Sequence, residues 1–281
     1  MTAVLALLSS GLWGTADFFG GLLSRRIRPF AVVGVALMFA LGAVLVLAGV
    51  VGAVHDDRAY LPWAVAAGVV GMLALVAFYW ALAIGTMGVV APIAATGVVV
   101  PVGIGLVQGE RPSVWQLLGI VVAVVGVVLA SGPEVRAVEH HEARGGWRAL
   151  ILALVAAMGF GVVLWLVAEG AQSSVTMTLL TQRATSVVIV LVVAAVTRSA
   201  GGMRRSDLPM VAFVGFADVA ANGLYALASR EGLLSVVAVL GSLYPVATVA
   251  LARTVLGERL TRVQDLGVAA ALFGVVLIAA G

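Results

Sequence analysis

Along the chain, long apolar runs alternate with short polar breaks. Ten apolar runs stand out, at about 2–23, 30–54, 61–84, 87–108, 113–132, 149–169, 174–197, 208–229, 232–255 and 262–280. Most approach the roughly 20 residues that a helix needs to cross a hydrocarbon core. The breaks read "SRRIRP", "HDDRAY", "GERPS", "PEVRAVEHHEARGGWR", "TRSAGGMRRSD" and "GERL", with tighter turns at Gly85 and Gly232. The pattern predicts an all-α integral membrane protein of ten transmembrane helices.

The longest polar stretch falls between the fifth and sixth runs and divides the chain into two halves. The expected organisation is a first five-helix repeat at 1–132, a polar linker at 133–148 and a second five-helix repeat at 149–281. "QGERPSVWQLLG" (Gln108–Gly119) and "LGERLTRVQDLG" (Leu256–Gly267) say the same thing 148 residues apart. At that offset, residues 109–129 and 257–277 match at 11 of 21 positions. Valine and alanine matches come cheaply in apolar sequence, but Gly-Glu-Arg and Gln do not. Five spans separate Glu110 from Glu258, an odd number, so the two copies are expected on opposite faces as inverted-topology repeats.

The repeated motif carries its own local physics. Ser113-x-x-Gln116 and Thr261-x-x-Gln264 fit the capping box, which satisfies orphan N–H groups at a helix start. Glu110 and Glu258 precede those starts, where a carboxylate is favoured by the helix dipole; a gating ion pair is their alternative role. Gly119 and Gly126, like Gly267 and Gly274, recur at seven residues on one helix face, which lets a neighbouring helix come close.

Composition places this pattern in lipid. Apolar residues make up 63 % and charged residues 10 % of 281, with a mean hydropathy of +1.18. That leaves too little polar surface for a water-soluble domain. Cysteine is absent, so neither a disulfide framework nor a thiol site is available. The first apolar run has no basic leader and no small-residue cleavage signal, and reads as a retained helix. All basic side chains are arginines, scattered over short loops, which reads as a topology signal and not as a nucleic-acid surface. Loops after odd-numbered spans hold eleven of them against three on the other face. The positive-inside rule then puts the odd loops in the cytoplasm and both termini outside, in the cytoplasmic membrane of a prokaryote. No cofactor, metal or nucleic-acid partner is expected. His140 and His141, beside Glu139 and Glu142, read as a solvated linker, and His55 as a loop residue. Oligomeric state stays open.

Three stretches carry a resemblance: "LWGTADFF" (12–19) in the first run, "SLYPVATVALARTVLGERL" (242–260) in the ninth, and the closing Q-x-x-G. They resemble the drug/metabolite transporter superfamily in its ten-helix EamA-like branch, over essentially the whole chain. The family's first-half counterpart of the ninth-helix proline falls at Gly97, with Pro92 and Pro101 to either side. The resemblance implies a non-enzymatic carrier that moves small solutes by alternating access, many such proteins being exporters.

Residues that break the apolar rule supply the candidate site. Pro29, Pro62, Pro112, Pro133 and Pro209 sit at run boundaries, where a missing N–H costs little. Pro92, Pro101 and Pro245 lie inside runs, each four residues after a glycine (Gly88, Gly97 and Gly241). A carbonyl that loses its helical donor must find protein or cavity water in lipid, so helices four and nine should bend and face the interior, as hinges or as static kinks.

Asp17, Arg183 and Asp218 fall well inside helices one, seven and eight. A charge at mid-membrane costs about 3 kcal/mol even on gentle scales, so each should meet a cavity or a partner. At 1.5 Å per residue, Arg183 lies about 14 Å and Asp218 about 17 Å from the face carrying the termini, which permits an ion pair. Asp17, at about 22 Å, is not the expected partner. Asn222 and Tyr225 extend a polar stripe from Asp218, with no equivalent in helix three. This asymmetry favours a solute site over a network that only orients helices. Trp13, Tyr79, Trp80, Tyr225 and Tyr244 are candidate aromatic walls, though such residues also serve as packing or interface groups. Trp63, Trp115 and Trp147 read as interface anchors. Gln182 is ambiguous, and Arg253 either snorkels or pairs with Glu258.

These features point to secondary-active transport, with export as the expected direction, of a small metabolite such as an amino acid or a related polar or amphipathic solute. The route is a central midplane cavity. No phosphate-binding loop is present, so the energy must come from a gradient or from the solute itself, and Asp17 or Asp218 is the candidate proton carrier. The alternatives are a lipid-intermediate flippase of the same fold and a membrane-embedded lipid-linked transferase. The transferase needs clustered acids, and Asp56-Asp57 is the only adjacent pair. Arg183 suits a solute carboxylate, and Asp17 and Asp218 suit an amine; mutual neutralisation of Arg183 and Asp218 removes that argument.

Overall fold

The computed structural model describes residues 1–52, 58–85, 87–130, 146–197, 202–256 and 262–280. Among the described residues every regular element is helical. The first half holds α1 (Thr2–Ser24), α2 (Pro29–Val51), α3 (Leu61–Ile84), α4 (Met87–Ala95), α5 (Val99–Val107) and α6 (Val114–Ala130). The second holds α7 (Gly146–Ser173), α8 (Val175–Thr197), α9 (Leu208–Glu231), α10 (Leu234–Gly241), α11 (Tyr244–Leu256) and α12 (Arg262–Ala280).

Local chemistry sets several ends. Proline occupies the first turn of α2, α3 and α9, where its fixed φ suits a helix and its absent N–H is no loss. α2 stops at Gly52, which takes the left-handed conformation with φ 62°. Among the described residues six helices are long and apolar enough to cross a bilayer, and four shorter apolar stretches accompany them. The outer faces carry Leu45, Val46, Val50 and Phe273 fully out of the core, as lipid permits.

The fourth expected span is α4 plus α5, and the ninth is α10 plus α11. α4 runs straight through Pro92, and the first break is a short 3-10 turn at Thr96–Val98, centred on Gly97. The second falls at Ser242 and Leu243, between Gly241 and Pro245. Both breaks lie under a crossing helix. A methyl group on Gly97 would run into the carbonyl of Ala157 on α7, and one on Gly14 of α1 into the carbonyl of Tyr244. Glycine thus lets each crossing helix rest on the broken backbone itself. α10 is buried at every residue but Val236, so this half of the span threads the interior.

The two halves answer each other in their packing. α1 lies on α9 as α7 lies on α3, and α2 meets α9 as α8 meets α3. α6 and α12 pack mainly on one another. Their glycines make that seam: beside Gly119 is the Gly274 carbonyl at 2.8 Å from where a β-carbon would stand, and beside Gly274 the Ala123 nitrogen at 2.6 Å. Gly126 faces Gly267 and Ala271 in the same way.

The first capping box forms as read: the Ser113 N–H donates to Gln116 Oε1 at 2.9 Å, and the Gln116 N–H to Ser113 Oγ at 3.1 Å. Thr261 and Glu258 lie outside the described residues. Glu110 corrects the sequence reading. α5 ends in a Schellman turn, with Gly109 at φ 93° and the Glu110 N–H donating to the Gly105 carbonyl at 2.9 Å. This turn swings the Glu110 carboxylate away from α6 to the start of α10. There it accepts hydrogen bonds from the Leu234 N–H and, at 3.0 Å, from the Ser235 N–H. The dipole argument holds, but the helix it serves belongs to the other half. On the opposite side of the protein, Arg26 pairs with Asp207 at 2.9 Å and ties the α1–α2 turn to the start of α9.

The α6–α12 seam predicts a sharp contrast between glycines. Gly126→Ala should lose about 1–3 kcal/mol by overpacking, read from SDS-titrated unfolding of purified protein. Gly42→Ala, where an added methyl meets nothing within 4 Å, should stay within about 0.5 kcal/mol of the parent or gain slightly.

Candidate functional site

A cavity opens where α1, α7, α8 and α9 meet the two helix breaks, with Leu37 of α2 and Gly71 and Leu75 of α3 behind it. Its volume is about 90 Å³, well above the roughly 10–15 Å³ that a single water requires, so it has room for several waters or a small organic solute. Most of the wall is apolar. Trp13, Phe160 and Tyr244 give aromatic surface, while Asp17, Gln182, Arg183, Ser186, Asp218, Asn222 and Ser242 give polar surface.

Arg183 on α8 and Asp218 on α9 pair at 2.8 Å between Nη2 and Oδ2, as their depths allow. Their side chains are only 6 % and 18 % exposed. Asn222, one turn on from Asp218, donates its Nδ2 to the Asp218 carbonyl at 2.8 Å and to Oδ1 at 3.3 Å. It thereby holds the carboxylate toward Arg183. Gln182 and Ser186 frame the pair. Ser186 donates to the Gly68 carbonyl of α3 at 2.8 Å, whereas Gln182 Oε1 and Arg183 Nε are buried with no hydrogen-bond partner among the described residues.

Asp17 lines the same cavity from α1 and is 9 % exposed. It has neither an ion-pair partner nor a hydrogen bond among the described residues, and it stands within electrostatic reach of Asp218 and of the tyrosines at 79 and 244. Two carboxylates thus share the cavity with one guanidinium.

The aromatic candidates divide. Trp13 and Tyr244 are in the wall, and the Tyr244 hydroxyl donates to the Ala91 carbonyl at 3.3 Å. Tyr225 is fully buried behind Trp13, ring centroids 5.7 Å apart, and supports the wall without lining it. Tyr79 is also fully buried, its ring laid against Gly20 of α1. Trp80 leaves the group: it is 53 % exposed, because successive residues of a helix point about 100° apart and Tyr79 takes the inward direction.

Of the hinge candidates, Gly97 and Gly241 face the cavity, and Pro101 and Pro245 are buried within α5 and α11. Gly88 and Pro92 lie in α4, but their surroundings lie outside the described residues. So do the side chain of Arg253, the three histidines and Asp56-Asp57. The sequence reading missed Phe160, Ser186 and Ser242. Ser186 had a signal, one turn from Gln182 and next to Arg183 in space; Phe160 had none, being one apolar residue among many.

Comparisons with known proteins fit this geometry. The sequence profile of the EamA-like transporter family matches twice, over residues 1–132 and 147–280. No curated protein matches the chain. Among solved structures 28 chains match. One, described only as "Crystal structure of protein", has a TM-score of 0.74 at 16 % identity, over 99 % of this chain and 98 % of that one. That likeness is one of fold. The doubled profile match covers nearly the whole chain, which belongs to the EamA-like transporter family and is an integral membrane protein.

Proposed function

We propose that the protein is a secondary transporter that carries a small polar or amphipathic metabolite through the central cavity by alternating access. The observation that carries this reading is the cavity itself, which gathers three ionisable side chains at the depth where lipid tolerates them least and both broken helices meet. Helix bounds that recur at an offset of 148, and packing exchanged between the halves, support two inverted repeats of five spans. In this reading α4–α5 and α10–α11 flex at their breaks while the halves rock about the α6–α12 seam. Glu110 then joins the halves on one face, through α10, and its release accompanies opening on that side. Termini on the outer side follow from the arginine distribution, and export from a prokaryotic cell is the direction we take from the family resemblance.

The energy source in this reading is a gradient. Asp218 is committed to Arg183, so Asp17 is the residue free to take a proton. In proteoliposomes, uptake of labelled amines should rise at least about threefold when a pH gradient is imposed, as expected of proton coupling. Asp17→Asn should lose that response yet retain downhill exchange. Rates indifferent to the gradient would remove proton coupling.

The ion pair makes a separate demand. Arg183→Met alone strands a buried carboxylate and should destabilise by about 3–5 kcal/mol, while Arg183→Met with Asp218→Met should recover most of that loss. SDS-titrated unfolding reads both. Equal damage in the single and double variants contradicts the pairing.

A further inference from the structure

We infer that the cavity selects small organic monocations, with the ammonium seated at Asp17, and discriminates against their carboxylated counterparts. This rests on reading the cavity as the transport site and narrows its solute class.

The charge balance carries the inference. Arg183 would ordinarily be a receptor for a carboxylate, but Asp218 already holds its Nη2 at 2.8 Å, and Asn222 holds Asp218 in place. Arg183 Nε keeps a free N–H, yet its pull on an anion is largely cancelled by the adjacent carboxylate. Asp17 is the opposite case: nine-tenths buried, facing the cavity and without a counter-ion among the described residues. A buried charge lacking a partner is unfavourable in a low-dielectric interior. A monocation cancels it. A zwitterionic amino acid leaves the site with the same net negative charge and adds a third carboxylate beside Asp17 and Asp218, where like charges repel most strongly.

The rest of the lining fits a cation with an organic body. Trp13 and Tyr244 line the same cavity as Asp17, and an aromatic face attracts a desolvated ammonium group. Phe160 closes the same wall for the apolar part. Gln182 Oε1, an acceptor with no partner among the described residues, is available to a second N–H of the ligand.

Four probes sharing a phenyl ring and a two-carbon chain isolate charge: phenethylamine, phenylalanine, 2-phenylethanol and 3-phenylpropionate. Thermal-stabilisation titrations on the full-length protein in detergent give their dissociation constants. Phenethylamine should bind at least about tenfold more tightly than each of the others. Asp17→Asn, close in shape to the parent, should weaken phenethylamine by about tenfold or more and leave 2-phenylethanol within about twofold. Asp218→Asn frees Arg183 and should strengthen 3-phenylpropionate by about tenfold. The parent protein alone decides the matter even if a variant fails to fold. Preference for phenylalanine or 3-phenylpropionate over phenethylamine overturns the cation assignment and leaves the transporter reading standing. No stabilisation by any probe, together with no uptake of any of them into proteoliposomes, overturns both.

Discussion

Hydrocarbon offers neither water nor hydrogen bonds, and every unusual feature of this molecule is an answer to that constraint. A soluble protein tolerates a kinked helix or a stray arginine because water repairs the damage. Here the breaks at Thr96–Val98 and Ser242–Leu243, and the charges at 17, 183 and 218, all collect in one interior cavity. The outward surface is mainly leucine and valine, with phenylalanine, tryptophan, methionine and isoleucine among them. Among the described residues the cavity is thus where the charges deep within the spans gather, with close helix crossings at glycine packed around it.

Those crossings link sequence to mechanism. Because α7 rests on the first break at Gly97 and α1 on the second through Gly14, each break is loaded by a helix that also lines the cavity. In the proposed alternating-access cycle, a shift of either half would therefore move the wall and the break together. The α6–α12 seam, built from backbone contacts at four glycines, is suited to stay fixed meanwhile. Glu110 adds a connection of another kind, a charge from one half on the N-terminus of a buried half-helix of the other. Such a contact is strong only while the geometry is kept, which suits an attachment that forms and breaks.

Much of the fold was legible in the residues, because lipid forces a simple grammar of apolar runs, polar breaks and prolines at run ends. The breaks in spans four and nine were legible through Gly97, Gly241 and Pro245, and the helix seam through glycines at sevenfold spacing. Depth made the Arg183–Asp218 pair possible, and only the packing of α8 on α9 shows that it forms. Other features were not readable, for definite reasons. Glu110 has a plausible local helix to serve, and its true partner lies 124 residues away in the chain. Trp80 and Phe160 sit on helices that are apolar on every side, so no periodicity tells cavity from lipid. Tyr79 and Tyr225 carry the right chemistry but stand one layer behind the wall, a distinction that only packing resolves. Asp17 was expected to stand apart from the ion pair, and does, yet it faces the same space.

The central claim is that water and solute reach this cavity from the two sides of the membrane in turn. The chain has no cysteine, so single cysteines at Ser186 and Ser242, both in the wall, can be read cleanly with a membrane-impermeant thiol reagent. Val188, 58 % exposed on the outer face of α8, is the lipid-facing reference. In sealed vesicles of each orientation, Ser186→Cys and Ser242→Cys should react from both sides while Val188→Cys stays inert. If the two wall positions prove as unreactive as Val188→Cys, or react from one side only whatever solute is present, the account is wrong.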